Sequence, residues 1–417
     1  MPDCSSPFAA FSHKERVNFR ISAILSSGGG GAEEGQKYRV TDEHVLEVNG
    51  DEYPRPELVF WDEQEGEGSL QALLRSAQEL MVKLRGLAEE QRYLLVSVGN
   101  AEFVPFFSSW ICNTKHMRGV HERTLLIFSD LAGMRGLSSL HPDFAGRIVH
   151  VQSQGFDLSR NQKYHSIGYN LLMLQRNEVI GRVLRCGISM LLFETDAVWA
   201  RNPLTDPLLS GPGSADLTVF MNRVFPAGFG FGFTILRSKA PVLLLWRQLE
   251  EEHAGQLREI LDAAGSSPLQ IDLGEDLRIE GFKNEMDILE EKAKSFGASG
   301  RLKFKVLPTC SYLSGLWYDD QVDNDELEDW EKAEEGRVFR QLCKEQNNGL
   351  PPYVLNNNWI VGLDAKMERA KRWGHWFTDE MDMCSDPDSL QADLRQMEES
   401  FASLSPLFPP FSAVEEM

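Results

Sequence analysis

A chain of 417 residues, 42% apolar and 25% charged, is large enough to bury one extended α/β domain with additions, or two ordinary domains. Its 63 acidic against 42 basic side chains leave a formal net charge of −21. Such a surface repels nucleic acid and anionic membranes, which excludes both as general partners, and an anionic substrate would need a local cation.

Residues 1–20 lack a basic start followed by an apolar stretch, so no signal peptide is read there. No apolar run approaches the roughly 20 residues that span a bilayer. As given, the sequence reads as that of a soluble intracellular protein. Ser26-Ser27 and Gly28–Gly31 form a flexible stretch within a variable N-terminal region, residues 1–90. That region ends in a helix: Leu70, Leu73, Leu74, Ala77, Leu80, Met81 and Leu84 recur at helical spacing within 69–90.

The run Tyr93–Val98, ended by Gly99-Asn100, predicts a first buried strand, and Val104–Thr114 a helix. Thr124–Asp130 predicts a second strand ending on a carboxylate. Residues 161–186 predict a long helix stopped by Gly187 in a left-handed cap, and Ile188–Phe193 a third strand running into Glu194-Thr195-Asp196. Strands at Leu217–Met221 and Phe233–Leu236 and a helix at Val242–Glu251 follow. Strands alternating with helices imply a mostly parallel sheet covered on both faces, which binds ligands beyond the carboxyl ends of its strands.

Residues 319–336 hold ten carboxylates against the single Lys332. They lack the ordered spacing and central glycine of a calcium loop and read as a solvated acidic insertion. Residues 381–417, with a weak helical pattern near 389–401, read as a peripheral tail. The six cysteines are scattered, with no close pair at metal-ligand spacing, and read as buried or idle thiols rather than a disulfide or zinc framework.

Residues two apart on an extended strand point to one side, so Glu194 and Asp196 are expected to face one pocket. Two facing carboxylates repel unless a cation joins them. Magnesium or manganese takes few protein oxygens and completes its shell with water and substrate phosphates, which suits a nucleotide diphosphate. From spacing alone, Glu194 as a cap or ion-pair partner and Asp196 as a turn residue is the commoner reading.

The surrounding blocks narrow this. Leu191–Leu204, with its apolar strand, acid-x-Asp, Val198-Trp199 and Arg201-Asn202-Pro203, resembles the signature of the nucleotide-diphospho-sugar transferases, glycosyltransferase family 77. Leu94–Asn100 with Phe106–Trp110, Lys163–Arg185, Gly232–Ser238 and Asn358–Gly362 with Lys366 and Trp373–Trp376 are similar to the family's other blocks, in order, across residues 91–378. The resemblance implies a GT-A fold, an α/β, Rossmann-like, mostly parallel sheet with helices on both faces, in a transferase domain over 91–380. It also implies a retaining, metal-dependent enzyme using Mn2+ or Mg2+, with a UDP-sugar as donor and a glycan, protein or small-molecule hydroxyl as acceptor. By matching position, Asp196 is the principal metal ligand, Glu194 contacts the metal or the ribose, and Lys366 pairs with the diphosphate. Asn358 belongs to the donor block, and Asp130 lies near the nucleotide or caps a helix. Trp199 and Trp359 are read as packing. Members commonly work in the Golgi lumen behind an N-terminal anchor, the expectation if this N-terminus is incomplete.

Four departures qualify the resemblance. Glu194 stands where the family often has Asp, Asn356 where it often has a His ligand, Gly230-Phe231-Gly232 where it has Asn before Gly-Phe, and Glu285-Met286 where it has Asp-Gln. His375 is a candidate replacement ligand. A catalytically silent nucleotide-sugar or glycan-binding protein is the alternative on the same fold, and a nucleotide-sugar hydrolase a third reading.

Overall fold

The computed structural model describes residues 38–40, 46–48, 51–53, 70–151, 162–164, 166–210, 215–223, 228–263, 282–318, 329–358 and 360–403. The glycine stretch at 28–31, Trp359 and residues 319–328 of the acidic stretch lie outside them. Strands β1 (Tyr38–Val40), β2 (Leu46–Val48) and β3 (Asp51–Tyr53) form an antiparallel sheet of their own. Helix α1 (Leu70–Lys83), β4 (Leu94–Gly99), α2 (Val104–Thr114), β5 (Thr124–Phe128), α3 (Leu131–Leu140) and β6 (Ile148–His150) come next. Then follow α4 (Ile167–Arg185), β7 (Met190–Phe193), β8 (Val198–Trp199), β9 (Leu217–Arg223), β10 (Gly228–Leu236), α5 (Ala240–Ala263), α6 (Glu285–Ala298), β11 (Phe304–Val306) and β12 (Tyr312–Leu313). The chain continues through α7 (Asp329–Gln346), β13 (Val354–Leu355), α8 (Leu363–Arg372) and α9 (Pro387–Ser403).

The central sheet has the order β11-β9-β10-β7-β4-β5-β6. Its ladders are parallel except those that β10 makes with β7 and β9. Successive side chains of a strand face opposite ways, and here both ways lead into protein. Leu94, Val96, Leu125, Ile127, Met190 and Leu192 face a core built with α1, α4, α5 and α6. Leu95, Leu126, Phe128, Leu191 and Phe193 face a second core built with α2 and Leu137 of α3. This explains why the strands read as continuous apolar runs rather than alternating ones. Helix α4 ends as its sequence predicts, with Gly187 at φ +81° and its N–H donating to the Leu184 carbonyl at 2.9 Å.

A small sheet, β12-β13-β8, carries the consequence for the site. Val198 pairs with Leu355 and Trp199 with Val354, so the chain after the 194–196 acids lies beside the chain before Asn356. A third core beneath it gathers Trp317, Tyr318, Trp373, Phe377, Met397 and Phe401. It holds two disulfides, Cys112–Cys384 and Cys310–Cys343, while Cys186 is a buried thiol outside both. The reading of idle thiols is therefore corrected for four of the six cysteines. The partners are 272 and 33 residues apart in sequence, so no local spacing could have marked them.

Candidate active site

The cleft of about 750 Å³ opens where β4 and β7 end, lined by Gly99, Phe193, Glu194, Thr195, Asp196, Asn356, Asn358 and Lys366. This is the carboxyl edge at which open α/β sheets bind ligands. Glu194 and Asp196 share the cleft as expected, but the pleat is not the reason. β7 stops at Phe193, and the acids sit on a turn closed by the Ala197 N–H donating to the Glu194 carbonyl at 3.2 Å. The Glu194 N–H extends the β10 ladder by donating to Gly232 O at 3.1 Å.

Asp196 is buried, and its Oδ2 accepts from Lys366 Nζ at 2.5 Å. Its Oδ1 has no hydrogen-bond partner among the described residues. Glu194 Oε2 accepts from Asn356 Nδ2 at 3.1 Å, and Oε1 lies 4.0 Å from Arg176 Nη1. Burial, then the charge of Asp196, raises the Glu194 pKa, with Lys366 and Arg176 opposing. The Glu194 side chain is 37% exposed, so the desolvation is that of a narrow cleft wall, not of a sealed core. Burial pulls the Lys366 pKa down, but the charges of Asp196 and Glu194 outweigh it and leave the ammonium above its ordinary value. Lys366 was expected against a diphosphate; in this structure its partner is the principal acid.

Asn356 is held in place by backbone. Its N–H donates to Leu313 O at 2.8 Å, and its buried Oδ1 is without a partner among the described residues. Asn358 also lines the cleft, with Oδ1 accepting from the Gly315 N–H at 2.5 Å. Arg369 organises this strand exit, donating from Nε to Asn357 Oδ1 at 2.7 Å and from Nη2 to Asn358 O at 2.6 Å.

Two predicted site residues lie elsewhere. Asp130 is the N-cap of α3: Oδ1 accepts from the Gly133 N–H at 2.7 Å and Oδ2 from the Ala101 N–H at 2.8 Å. Both oxygens serve the backbone, the ordinary work of an aspartate before a helix. His375 is 2% exposed, with Nδ1 against Tyr318 Oη and Nε2 against Ser400 Oγ, both at 2.8 Å. Burial lowers its pKa to about 3. With both ring nitrogens engaged in the third core, His375 is a structural histidine and not a replacement metal ligand.

Arg176 was not expected in the cleft wall, and Glu285 was marked only as a departure from the family's Asp. Arg176 bridges Glu194 and Glu285, at 3.3 Å from the latter. Glu285 is 2% exposed, its pKa raised by burial against the pull of Arg176, and its Oε2 has no partner among the described residues. The signal for Arg176 was available: Leu172, Arg176 and Ile180 stand four apart and all line the cleft.

A divalent cation, implied by the family resemblance, fits these residues. Asp196 Oδ1 and Asn356 Oδ1 are buried oxygens without partners among the described residues, and with the Glu194 carboxylate in the same cleft they offer hard oxygen donors. Among the described residues the cleft carries five acids, Glu194, Asp196, Glu285, Asp287 and Glu290, against three bases, Lys163, Arg176 and Lys366. That deficit of two positive charges disfavours a diphosphate unless a cation accompanies it.

A covered α/β sheet with a ligand cleft at its carboxyl edge is a scaffold on which nucleotide-binding enzymes are built. Residues 119–370 match the family model for nucleotide-diphospho-sugar transferases, and the chain belongs to that family. It is 22% identical over 316 residues to the beta-arabinofuranosyltransferase RAY1 of Arabidopsis thaliana, covering 72% of this chain and 50% of that protein. The chain thus spans half the length of that relative. It is 17% identical over 293 residues to the UDP-D-xylose:L-fucose alpha-1,3-D-xylosyltransferase of the same plant, covering 69% and 70%. Among solved structures, the galactosyltransferase LgtC with donor and acceptor analogues aligns over 78% of this chain and 99% of its own, at 12% identity and a TM-score of 0.37. The glycosyltransferase GlyE of Streptococcus pneumoniae aligns over 76% and 66%, at 11% identity and a TM-score of 0.36.

Proposed function

We propose that the chain transfers a sugar, with retention, from a nucleotide diphosphate to a hydroxyl acceptor, and that Mn2+ or Mg2+ enters with the donor at the 194–196 turn. The observation that carries the reading is a pair of buried oxygens, Asp196 Oδ1 and Asn356 Oδ1, that have no partner among the described residues, in a cleft whose described residues hold more acids than bases. Asp196, Glu194 and Asn356 hold the cation, which neutralises the phosphates and the charge on the departing diphosphate. Lys366 and Asn358 face the donor beside them. A UDP-sugar is the proposed donor, and the acceptor is a glycan, protein or small-molecule hydroxyl. The two disulfides support a site of action in an oxidising compartment rather than a reducing one. No helix among the described residues is long and apolar enough to cross a membrane.

The test is a panel of nucleotide sugars assayed for Mn2+-dependent release of the diphosphate. Asp196→Asn should lower turnover by at least about a hundredfold, since it weakens the hold on the cation that offsets the charge developing on the leaving group. Full turnover in that variant refutes the assignment. Metal-dependent nucleotide binding without turnover on any donor and acceptor would instead identify a silent binding protein on the same fold.

A further inference from the structure

We propose that Lys366 is the resident cation of the ligand-free site, competing with the divalent ion for Asp196 and released to the diphosphate only when that ion arrives. This rests on the reading above. The Lys366 ammonium lies 2.5 Å from Asp196 Oδ2, with the two side chains 21% and 4% exposed, so the carboxylate that would hold a divalent ion already has a positive partner. A divalent ion on the free Oδ1 would stand beside that ammonium, and two cations on one buried carboxylate repel.

The rest of the residue is built to let only the side chain move. The Lys366 carbonyl accepts from Asn357 Nδ2 at 2.9 Å, and its N–H donates to Gly362 O at 3.1 Å. Asn357 is fixed in turn by Arg369. The backbone therefore stays while the flexible four-carbon stem swings. Its position also argues for displacement. Lys366 stands in the first turns of α8, where the helix dipole disfavours a positive charge and favours an anion. Gly362 and Leu363, at that helix's start, line the cleft. A diphosphate arriving there would relieve the mismatch that Asp196 now offsets. Cation and diphosphate should then bind cooperatively, because each removes what the other must displace.

The experiment uses the full chain and three calorimetric titrations: Mn2+ alone, UDP alone, and UDP with saturating Mn2+. They are run on wild type and on Lys366→Met, Lys366→Gln and Lys366→Arg. The neutral variants should bind Mn2+ alone at least about tenfold tighter than wild type, because the competing state is gone. They should bind UDP with Mn2+ more weakly, and the factor by which Mn2+ improves UDP affinity should shrink. Lys366→Arg, which keeps the charge, should retain the weak Mn2+ binding. In wild type, 15N-lysine NMR should show the Lys366 Nζ signal moving on addition of diamagnetic Mg2+ with UDP, a readout that needs no variant to fold. Unchanged or weaker Mn2+ binding in both folded neutral variants, or an immobile Nζ signal, overturns the proposal. If wild type binds Mn2+ with UDP while the neutral variants gain nothing, the resident-cation role alone falls. If no form binds Mn2+ even with UDP, the cation-dependent reading falls with it.

Discussion

Gly232 shows how closely the acid turn is fitted to its surroundings. A Cβ built there would overlap Asn356 Nδ2 and come within 2.9 Å of Glu194 Oε2. The absent side chain is what lets Asn356 reach across β10 to the acid. Gly232→Ala should therefore push Asn356 out, cost about 1–3 kcal/mol in denaturant unfolding as overpacking does, and weaken nucleotide binding in the same variant. Wild-type binding in a Gly232→Ala protein would mean the Asn356–Glu194 contact is dispensable. At this scale the sequence was legible wherever residue type alone defines chemistry. Glu194, Asp196, Asn356, Asn358 and Lys366 line one cleft as expected, while Asp130 and His375 do not. Asp130 is a residue whose cap role and ligand role look identical in sequence. His375 depends on Tyr318 and Ser400, 57 and 25 residues away, partners that no local pattern announces.

Among the elements, the apolar runs of β4, β5 and β7 were readable because burial on both faces leaves Ser97 and Thr124 as their only polar side chains. Strands β6 and β11, three residues each, offer too few side chains for any period to emerge. They are strands because β5 and β9 present free edges to them. The β8–β13 pair that closes the site is two residues on each side, and is likewise a tertiary product. The Cys112–Cys384 bond ties α2 to the segment following α8, across the third core. There the Phe377 N–H donates to Ser109 Oγ at 3.1 Å, and Trp376 meets Phe106 edge-on at 5.2 Å. Closing so long a loop, the bond restricts the unfolded chain strongly. Cys112→Ser with Cys384→Ser should lower stability by about 2–5 kcal/mol. Because Thr195, Asp196, Ala197 and Val198 border a small void against His375, Trp376 and Phe377, nucleotide binding should weaken as well. Unfolding midpoints and UDP affinity of the double variant, against wild type under oxidising and reducing conditions, test both effects. A reduced wild type as stable as the oxidised one would refute the clamp.

Over the whole molecule, the buried histidines set a pH dependence. Burial lowers the pKa of His121, His141 and His253 to about 4, and that of His375 to about 3, from an ordinary 6.5. Each stays neutral in the folded chain at pH values where the unfolded chain binds a proton. Their contribution is therefore fully present above pH 6.5 and is lost as pH falls through 6.5 toward 4, by up to ~1.4 kcal/mol per pH unit for each histidine. Glu194, Glu250 and Glu285 act in the opposite sense, since burial raises their pKa and protonation favours the fold. The measured slope is thus a net one, and a single substitution is needed to isolate one side of it. His375→Gln keeps a hydrogen-bonding group between Tyr318 and Ser400 but cannot titrate. Guanidinium unfolding at pH 8, 6.5 and 5 should show wild type losing more stability below 6.5 than His375→Gln, by up to ~1.4 kcal/mol per unit. Parallel curves would mean that His375 takes up its proton in the folded state, and that the third core is wetter than its packing implies.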